Sequence, residues 1–372
     1  MMHIALFLPD LNGGGAERVM LTLAKYFVGR GHRVDFVLAR AEGALLPLLP
    51  PTVRLVDLRA GGRSWGLLGL AVSATLRLAA YLRRERPGVL LSTLTGANLV
   101  AVLARAIGNR DTRLVLREAA TLKNVQSCFR FYLMRWLYPK ADVVVALTEV
   151  MRRELITTFR LYTDHVVCIP NPMDLDFILN KAAASIEHPW FLPSRPPIVM
   201  GIGRLSPQKD FRTLIHAFAQ LRSKCQAHLV ILGEGSLRGE LEALIKELKL
   251  DKDVILPGFD DNPYRWLSRA KVFVLSSLWE GYPNVILEAL ALGKPVMMTD
   301  YDASVKALAS ESEYIHVVPT ADPTKMATTI IDMFNYPNEN RASMLPVGVE
   351  AAPQRYLDLL IKTEKHDFQG SA

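Results

Sequence analysis

At 372 residues, half of them hydrophobic and 22% charged, the chain is long enough for two globular domains with packed cores, and its composition excludes a disordered polymer. Three scattered cysteines without a CxxC spacing exclude a zinc ribbon or a disulfide framework, and they suit a reducing, cytoplasmic compartment. The net charge of +7 is uneven: residues 1–180 hold 23 Lys and Arg against 14 Asp and Glu, while residues 181–372 hold 21 against 23. The N-terminal half therefore either meets something anionic (nucleic acid, a bilayer surface, a phosphate-bearing acceptor) or is simply a solvated basic surface.

The run Met2–Leu8 is too short for a signal peptide and lacks a basic leader. It reads as a first strand, Ile4–Leu8, followed by a helix over Ala16–Phe27 and a strand over Val34–Leu38. Short strands follow at Val53–Val56, Val89–Leu91, Leu114–Leu116, Val143–Leu147 and Val166–Ile169, with helical segments between them. The two longest apolar stretches, Trp65–Ala80 and Val89–Ala104, are broken by Arg77 and by Ser92, Thr93, Thr95 and Asn98, so both read as buried soluble elements. Prolines at 170, 172, 189, 193, 196 and 197 resist helix and central strand and mark a linker. The alternation then restarts: strands at Ile198–Gly201, His228–Leu232, Val254–Leu256, Val272–Leu275, Val296–Met298 and Ile315–Val318, separated by helices, with a last amphipathic helix at Val349–Lys362. Strands alternating with helices imply parallel sheets, so the expectation is an α/β protein of two Rossmann-like, doubly wound domains. The boundaries expected are 1–175, a linker over 176–195, 196–348, and 349–372 packing back on the first domain through Tyr356, Leu359 and Leu360.

Ligands of doubly wound sheets sit outside the carboxyl ends of the strands, so the loops there carry the chemistry, in a cleft between facing domains. After the first strand comes Asp10-Leu11-Asn12-Gly13-Gly14-Gly15-Ala16-Glu17-Arg18, which either cradles an anion at a helix N-terminus or is a plain turn; it is not GxGxxG. Gly201–Asp210 follows a strand and carries Arg204 and Lys209, two cations that can neutralise a departing diphosphate or merely face solvent. Ser276–Leu290 holds Glu280 in a loop, Pro283 at a helix start and Glu288 in an apolar helix. These acids are either sugar-hydroxyl acceptors or ordinary loop and surface glutamates.

Together these segments resemble glycosyltransferase family 4, retaining enzymes of the GT-B fold, from Ile4 to about Leu360. The carriers are Leu11–Arg18, Ile169-Pro170-Asn171-Pro172-Met173-Asp174, Gly203-Arg204-Leu205 with Lys209, Leu232-Gly233-Glu234-Gly235, Leu256-Pro257-Gly258-Phe259, and the E-x7-E span from Glu280 to Glu288. The resemblance implies that Arg204 and Lys209 bind the donor's diphosphate and stabilise it as it leaves, that Glu280 holds hydroxyls of the transferred sugar, and that Glu288 holds the ribose. Gly203 belongs to the same donor loop, the Asn284 and Val285 amides meet phosphate, Gly258 and Phe259 seat the base, and Gly14 and Gly15 meet the donor from the first domain. It implies a nucleotide-sugar substrate, more readily UDP-linked, with no metal and no other cofactor, and a saccharide or lipid-linked acceptor in polysaccharide or glycolipid synthesis. Some relatives place a histidine where this chain has Arg117-Glu118-Ala119-Ala120-Thr121, so Glu118 is the candidate for acceptor contact or base. The glycine-rich turn of many relatives is replaced by Tyr301-Asp302-Ala303-Ser304, which leaves Ser304 and Lys306 without a role.

Asn124–Lys140 mixes Phe129, Phe131, Tyr132, Trp136 and aliphatics with Arg130, Arg135 and Lys140. It reads as the core face of a Rossmann helix, with interfacial contact to the inner face of an anionic membrane as the alternative. A nucleotide-sugar epimerase and a non-catalytic partner subunit are the rival readings. The glycine spacing disfavours a nicotinamide dehydrogenase, and no motif supports a nucleic-acid binder.

Overall fold

The computed structural model describes all residues except 13, 62–65, 120–127, 193–194, 337–343, 346–347 and 363–372. The chain divides into two compact units, residues 1–173 joined by the stretch from 348 onward, and residues 174–347.

The first unit is a seven-stranded, wholly parallel sheet. Its elements are β1 (His3–Leu8), α1 (Gly15–Gly29), β2 (Arg33–Leu38), β3 (Arg54–Asp57), α2 (Gly66–Glu85), β4 (Val89–Thr93), α3 (Thr95–Ile107), β5 (Arg113–Arg117), α4 (Cys128–Leu137), β6 (Val143–Ala146), α5 (Glu149–Phe159) and β7 (Val166–Cys168). The strand order is β3-β2-β1-β4-β5-β6-β7. Residues Ile4–Leu8, Leu90–Leu91 and Leu114–Leu116 are buried on both faces, which is why these strands read as continuous apolar runs rather than as alternation. Helix α1 turns Val19, Met20, Leu23, Ala24 and Phe27 onto one face of the sheet.

The second unit begins with α6 (Leu175–Ala182). It continues with β8 (Ile198–Ile202), α7 (Phe211–Arg222), β9 (His228–Leu232), α8 (Arg238–Glu247), β10 (Val254–Gly258), α9 (Pro263–Leu267), β11 (Val272–Leu275), α10 (Asn284–Ala291), β12 (Val296–Thr299), α11 (Ala303–Ala309), β13 (Ile315–Val318) and α12 (Pro323–Met333). Its six parallel strands are ordered β10-β9-β8-β11-β12-β13. In both sheets the strand order reverses beside the first strand, between β1 and β4 and between β8 and β11, and such reversal points open a crevice for ligands.

Three local differences from the sequence reading have physical causes. Within the stretch expected as a linker, residues 176–182 belong to α6 of the second unit: Asp174 caps α6 by accepting from the Phe177 N–H at 3.1 Å, and α6 packs on α9. The turn at Tyr301–Ser304 starts a short helix, because Asp302 accepts from the Ser304 N–H at 2.7 Å. Within 124–140, residues 124–127 lie outside the described residues, α4 covers Cys128–Leu137, and Pro139 sets a 3-10 turn over Tyr138–Lys140.

The last helix, α13 (Ala352–Ile361), returns to the first unit. It buries Tyr356, Leu357 and Leu360 in the core shared by α1 and β1, with Leu359 half-buried beside them. The Tyr26 hydroxyl donates to Gln354 Oε1 at 2.6 Å, and Arg355 donates to the Cys168 carbonyl at 2.6 Å.

Candidate active site

In the second unit, three loops at the carboxyl ends of β8, β9 and β10 are tied by their backbones. The Gly203 N–H donates to the Leu232 carbonyl at 3.0 Å, Leu205 to Glu234 at 2.9 Å, and Gly233 to Gly258 at 2.8 Å. This close approach requires glycine. A Cβ on Gly233, whose φ is +143°, would lie 2.0 Å from the Gly203 carbonyl oxygen, and one on Gly235 would lie 2.3 Å from that of Leu205. The Leu232–Gly235 turn is therefore the buttress of the Arg204 loop.

That loop ends in a 3-10 turn over Pro207–Lys209 and in Asp210, which adopts a left-handed conformation and caps α7 by accepting from the Thr213 N–H at 3.3 Å. It is stitched to the loop after β11. The Ser276 hydroxyl donates to the Lys209 carbonyl at 2.6 Å, the Leu278 N–H to the Gln208 carbonyl at 2.8 Å, and the Gln208 amide to the Trp279 carbonyl at 2.9 Å. These bonds place Lys209 Nζ 2.6 Å from Glu280 Oε1. Glu280, only 9% exposed, also accepts from the Ser277 hydroxyl at 2.6 Å and from Gln208 Nε2 at 3.2 Å. A carboxylate this buried needs such partners. Burial, the Glu280 charge and the Asp302 charge together hold the Tyr301 phenol well above its ordinary range, so it is a neutral hydroxyl next to the pair.

The remaining residues expected at the donor site separate into two groups. Arg204 is exposed and makes no hydrogen bond or ion pair among the described residues. Helix α10 begins at Asn284, whose N–H already donates to the Tyr282 carbonyl at 3.0 Å, so of the two amides expected to meet phosphate Val285 is the better placed. Glu288 lies four residues on, about 6 Å along the helix axis. It accepts from the Tyr264 hydroxyl at 3.2 Å, which links it to α9 and so to the Gly258–Phe259 loop, where Phe259 is 75% exposed. The structure thus brings Lys209 to Glu280 directly and ties Glu288 to a different neighbour.

In the first unit, Gly14 is the residue before α1, Gly15 opens the helix, and Gly13 lies outside the described residues. Burial raises the Glu17 carboxyl above its ordinary range, against the pull of the Glu17 and Gly14 backbone amides. Glu118, expected at the acceptor, is fully buried. It accepts from the Thr95 hydroxyl at 3.1 Å, from the Ala119 N–H at 3.1 Å and from the Tyr138 hydroxyl. No surface of it faces solvent, so its place is corrected to an internal brace of the β4 and β5 loops. Beside it, Arg117 is also fully buried, donating to the Thr93 hydroxyl at 2.7 Å and to Asn171 Oδ1. Asn98 donates to the Arg117 carbonyl at 3.0 Å.

Sequence reasoning missed this network, although its members were visible. Thr93, Thr95 and Asn98 are among the polar breaks in the Val89–Ala104 run, and all three are buried. A polar residue at the carboxyl end of a buried parallel strand must find a partner, and Arg117 and Glu118 end the next strand. Among the described residues no helix is long and apolar enough to cross a membrane.

Residues 13–177 match the family model described as Glycosyltransferase Family 4, and residues 196–335 match that of Glycosyl transferases group 1, so that the two models cover most of the chain. A Campylobacter jejuni protein named N-acetylgalactosamine-N,N'-diacetylbacillosaminyl-diphospho-undecaprenol 4-alpha-N-acetylgalactosaminyltransferase is 29% identical over 328 residues, 84% of this chain and 85% of its own. Among solved structures, a glycosyltransferase from Rickettsia africae is similar with a TM-score of 0.78 at 16% identity over 98% of this chain and 99% of its own. Anabaena HepE in complex with UDP and glucose has a TM-score of 0.72 at 20% identity over 95% of each chain. At such identities the likeness shows the fold class, two parallel-sheet α/β units of the GT-B type.

Proposed function

This chain belongs to the family 4 glycosyltransferases, and on that premise we propose that it moves one sugar from a UDP-linked donor to a lipid-linked saccharide, with retention at the anomeric carbon. The observation that carries the reading is the Lys209–Glu280 pair, fixed where β8 and β11 end, beside the reversal point of the second sheet. The name of the Campylobacter relative gives a diphospho-undecaprenol-linked acceptor, and the Anabaena structure holds UDP and glucose; both support the reading.

In this mechanism Arg204 and Lys209 face the donor's diphosphate, with the Val285 N–H at the start of α10. Glu280 accepts hydroxyls of the sugar, Glu288 those of the ribose, and the Gly258–Phe259 loop borders the base. The bond from the anomeric carbon to the diphosphate oxygen breaks as the acceptor oxygen attacks from the same side, and the acceptor's proton passes to the leaving phosphate. Charge grows on the diphosphate as that bond stretches. Lys209, held in place by Glu280, and the exposed Arg204 stabilise it, which assigns to these two cations the work a metal ion does in other enzymes. In the first unit, Gly14 and Gly15 present backbone at an N-terminus suited to phosphate, while Arg117 and Glu118 brace the loops beneath.

The test is a binding screen over UDP-, GDP- and ADP-sugars followed by transfer assays with Arg204→Ala and Glu280→Gln. We expect stabilisation by UDP-sugars and loss of transfer in both variants. Full activity in both would remove the role assignment.

A further inference from the structure

The loops after β11 and β12 are joined at their roots. The two strands pair in parallel up to Leu275 and Met298, and the Thr299 hydroxyl then donates to the Ser277 carbonyl. Ser277 is the residue whose own hydroxyl holds Glu280. Two positions beyond Thr299 comes Tyr301, fixed on both sides. Its N–H turns back to the Thr299 carbonyl at 3.1 Å, Asp300 extends the pairing of β12 with β13 by donating to the Val318 carbonyl at 2.8 Å, and Asp302 caps α11. The half-buried Tyr301 side chain lies where the charges of Glu280 and Asp302 and the phenol of Tyr282 act on it, which brings it to the Lys209–Glu280 pair.

Glu280 alone does not define a sugar. Its Oε1 accepts from Lys209 Nζ and from the Ser277 hydroxyl, both at 2.6 Å, which fills that oxygen. Its Oε2 takes the Gln208 amide at 3.2 Å, so a sugar meets the carboxylate through Oε2. One oxygen tells little between sugars that differ at another carbon; selection needs a second polar group that is left unpaired by the wrong one. Tyr301 supplies that group. Its hydroxyl makes no hydrogen bond among the described residues, and being neutral it can both donate and accept.

The same turn sets the charge that a sugar can carry. Asp300 is paired with the exposed Lys306 at 3.1 Å. Asp302 is held by the Ser304 N–H at 2.7 Å and the Ser304 hydroxyl at 2.5 Å, with no cation beside it among the described residues. Lys209 is committed to Glu280. A carboxylate on the sugar would therefore face Glu280 and Asp302 with no cation of this turn to meet it, and an unpaired charge in a half-buried place is costly.

We infer that Tyr301 is a specificity-determining residue for the transferred sugar: its hydroxyl bonds a substituent of an uncharged hexose beside the group held by Glu280, and the acids of its turn exclude sugars that carry a carboxylate. This inference rests on the donor role proposed above for the Lys209–Glu280 pair.

The experiment is calorimetric titration of the full chain with UDP, UDP-glucose, UDP-galactose, UDP-N-acetylglucosamine, UDP-N-acetylgalactosamine and UDP-glucuronate, for wild type, Tyr301→Phe and Tyr301→Ala. Wild type should bind its best uncharged UDP-sugar about tenfold or more tighter than UDP-glucuronate. Tyr301→Phe, which removes only the oxygen, should narrow the ratio between the best and the second-best uncharged sugar about threefold to tenfold, the worth of one neutral hydrogen bond, and Tyr301→Ala at least as much. Binding of UDP alone should stay within about twofold of wild type in both variants, a readout that also reports their folding. An equal loss for every sugar would mark Tyr301 as merely structural and overturn the inference. So would unchanged ratios in both variants, no preference of wild type among the uncharged sugars, or UDP-glucuronate bound as tightly as they are. A chain that binds none of these nucleotides fails the donor reading itself, whereas one that binds them with wild-type ratios in both variants fails only this inference.

Discussion

Lys209 Nζ and Glu280 Oε1 are 2.6 Å apart, although one side chain belongs to the loop after β8 and the other to the loop after β11. The cation proposed for the leaving diphosphate is held by the carboxylate proposed for the sugar. The pair keeps both groups aligned in a site of low exposure. We expect Lys209→Ala to lower kcat by about 10²–10³, the usual cost of removing a group that stabilises transition-state charge. Glu280→Gln should lower kcat/KM by roughly tenfold to a hundredfold, as for loss of a charged hydrogen-bond acceptor. Because the groups touch, the double variant should lose less than both losses combined; a strictly additive cycle in steady-state kinetics would show that they act independently.

Glu118→Gln separates a brace from a base. With its carboxylate enclosed by Thr95, Tyr138 and the Ala119 amide, the substitution should cost about 1–3 kcal/mol of stability by urea unfolding and lower kcat less than tenfold. A general base would lose about 10²–10⁴, with one limb of the pH–rate profile gone.

Glu17 gives a pH dependence of stability. Its carboxyl, ordinarily near 4.5, is raised in the folded state, chiefly by burial. The folded state therefore holds its proton more tightly than the unfolded chain, and its contribution is complete below 4.5 and lost as pH rises through the raised value. Glu17→Gln, which copies the protonated form, should match wild type in thermal melts below pH 4 and exceed it at neutral pH. Equal melting temperatures across that range would contradict the shift.

Gly233→Ala should destabilise the second unit through the backbone alone. The added methyl meets the Gly203 carbonyl at 2.0 Å, and φ of +143° is unfavourable for alanine. We expect a loss of about 1–3 kcal/mol or more, seen as a lower Tm, together with weaker UDP-sugar binding because the Arg204 loop rests on this turn.

Strand positions were legible because parallel strands covered on both faces are uninterrupted apolar runs, as in Ile4–Leu8 and Leu229–Leu232. The loops that carry Lys209 and Glu280 were legible because glycine, cation and carboxylate fall after such strands. Three things were not. Helix α6 sits between prolines at 172 and 189, and composition alone gave it to a linker. Glu118 looked like a reactive acid because a sequence does not show which hydroxyls surround a carboxylate. For α4, an amphipathic pattern with aromatics on both sides does not say which side faces the sheet. The core reading holds for Met134 and Leu137 and fails for Phe129, Tyr132 and Trp136.

Helix α13 completes the core of the first unit although it is encoded after the whole of the second. During synthesis the whole of the second unit is therefore made before Tyr356, Leu357 and Leu360, which pack with α1 in the first. The earlier-made half must wait longest for its last piece, and until then the apolar residues of α1 that share a core with Tyr356, Leu357 and Leu360 lack that cover.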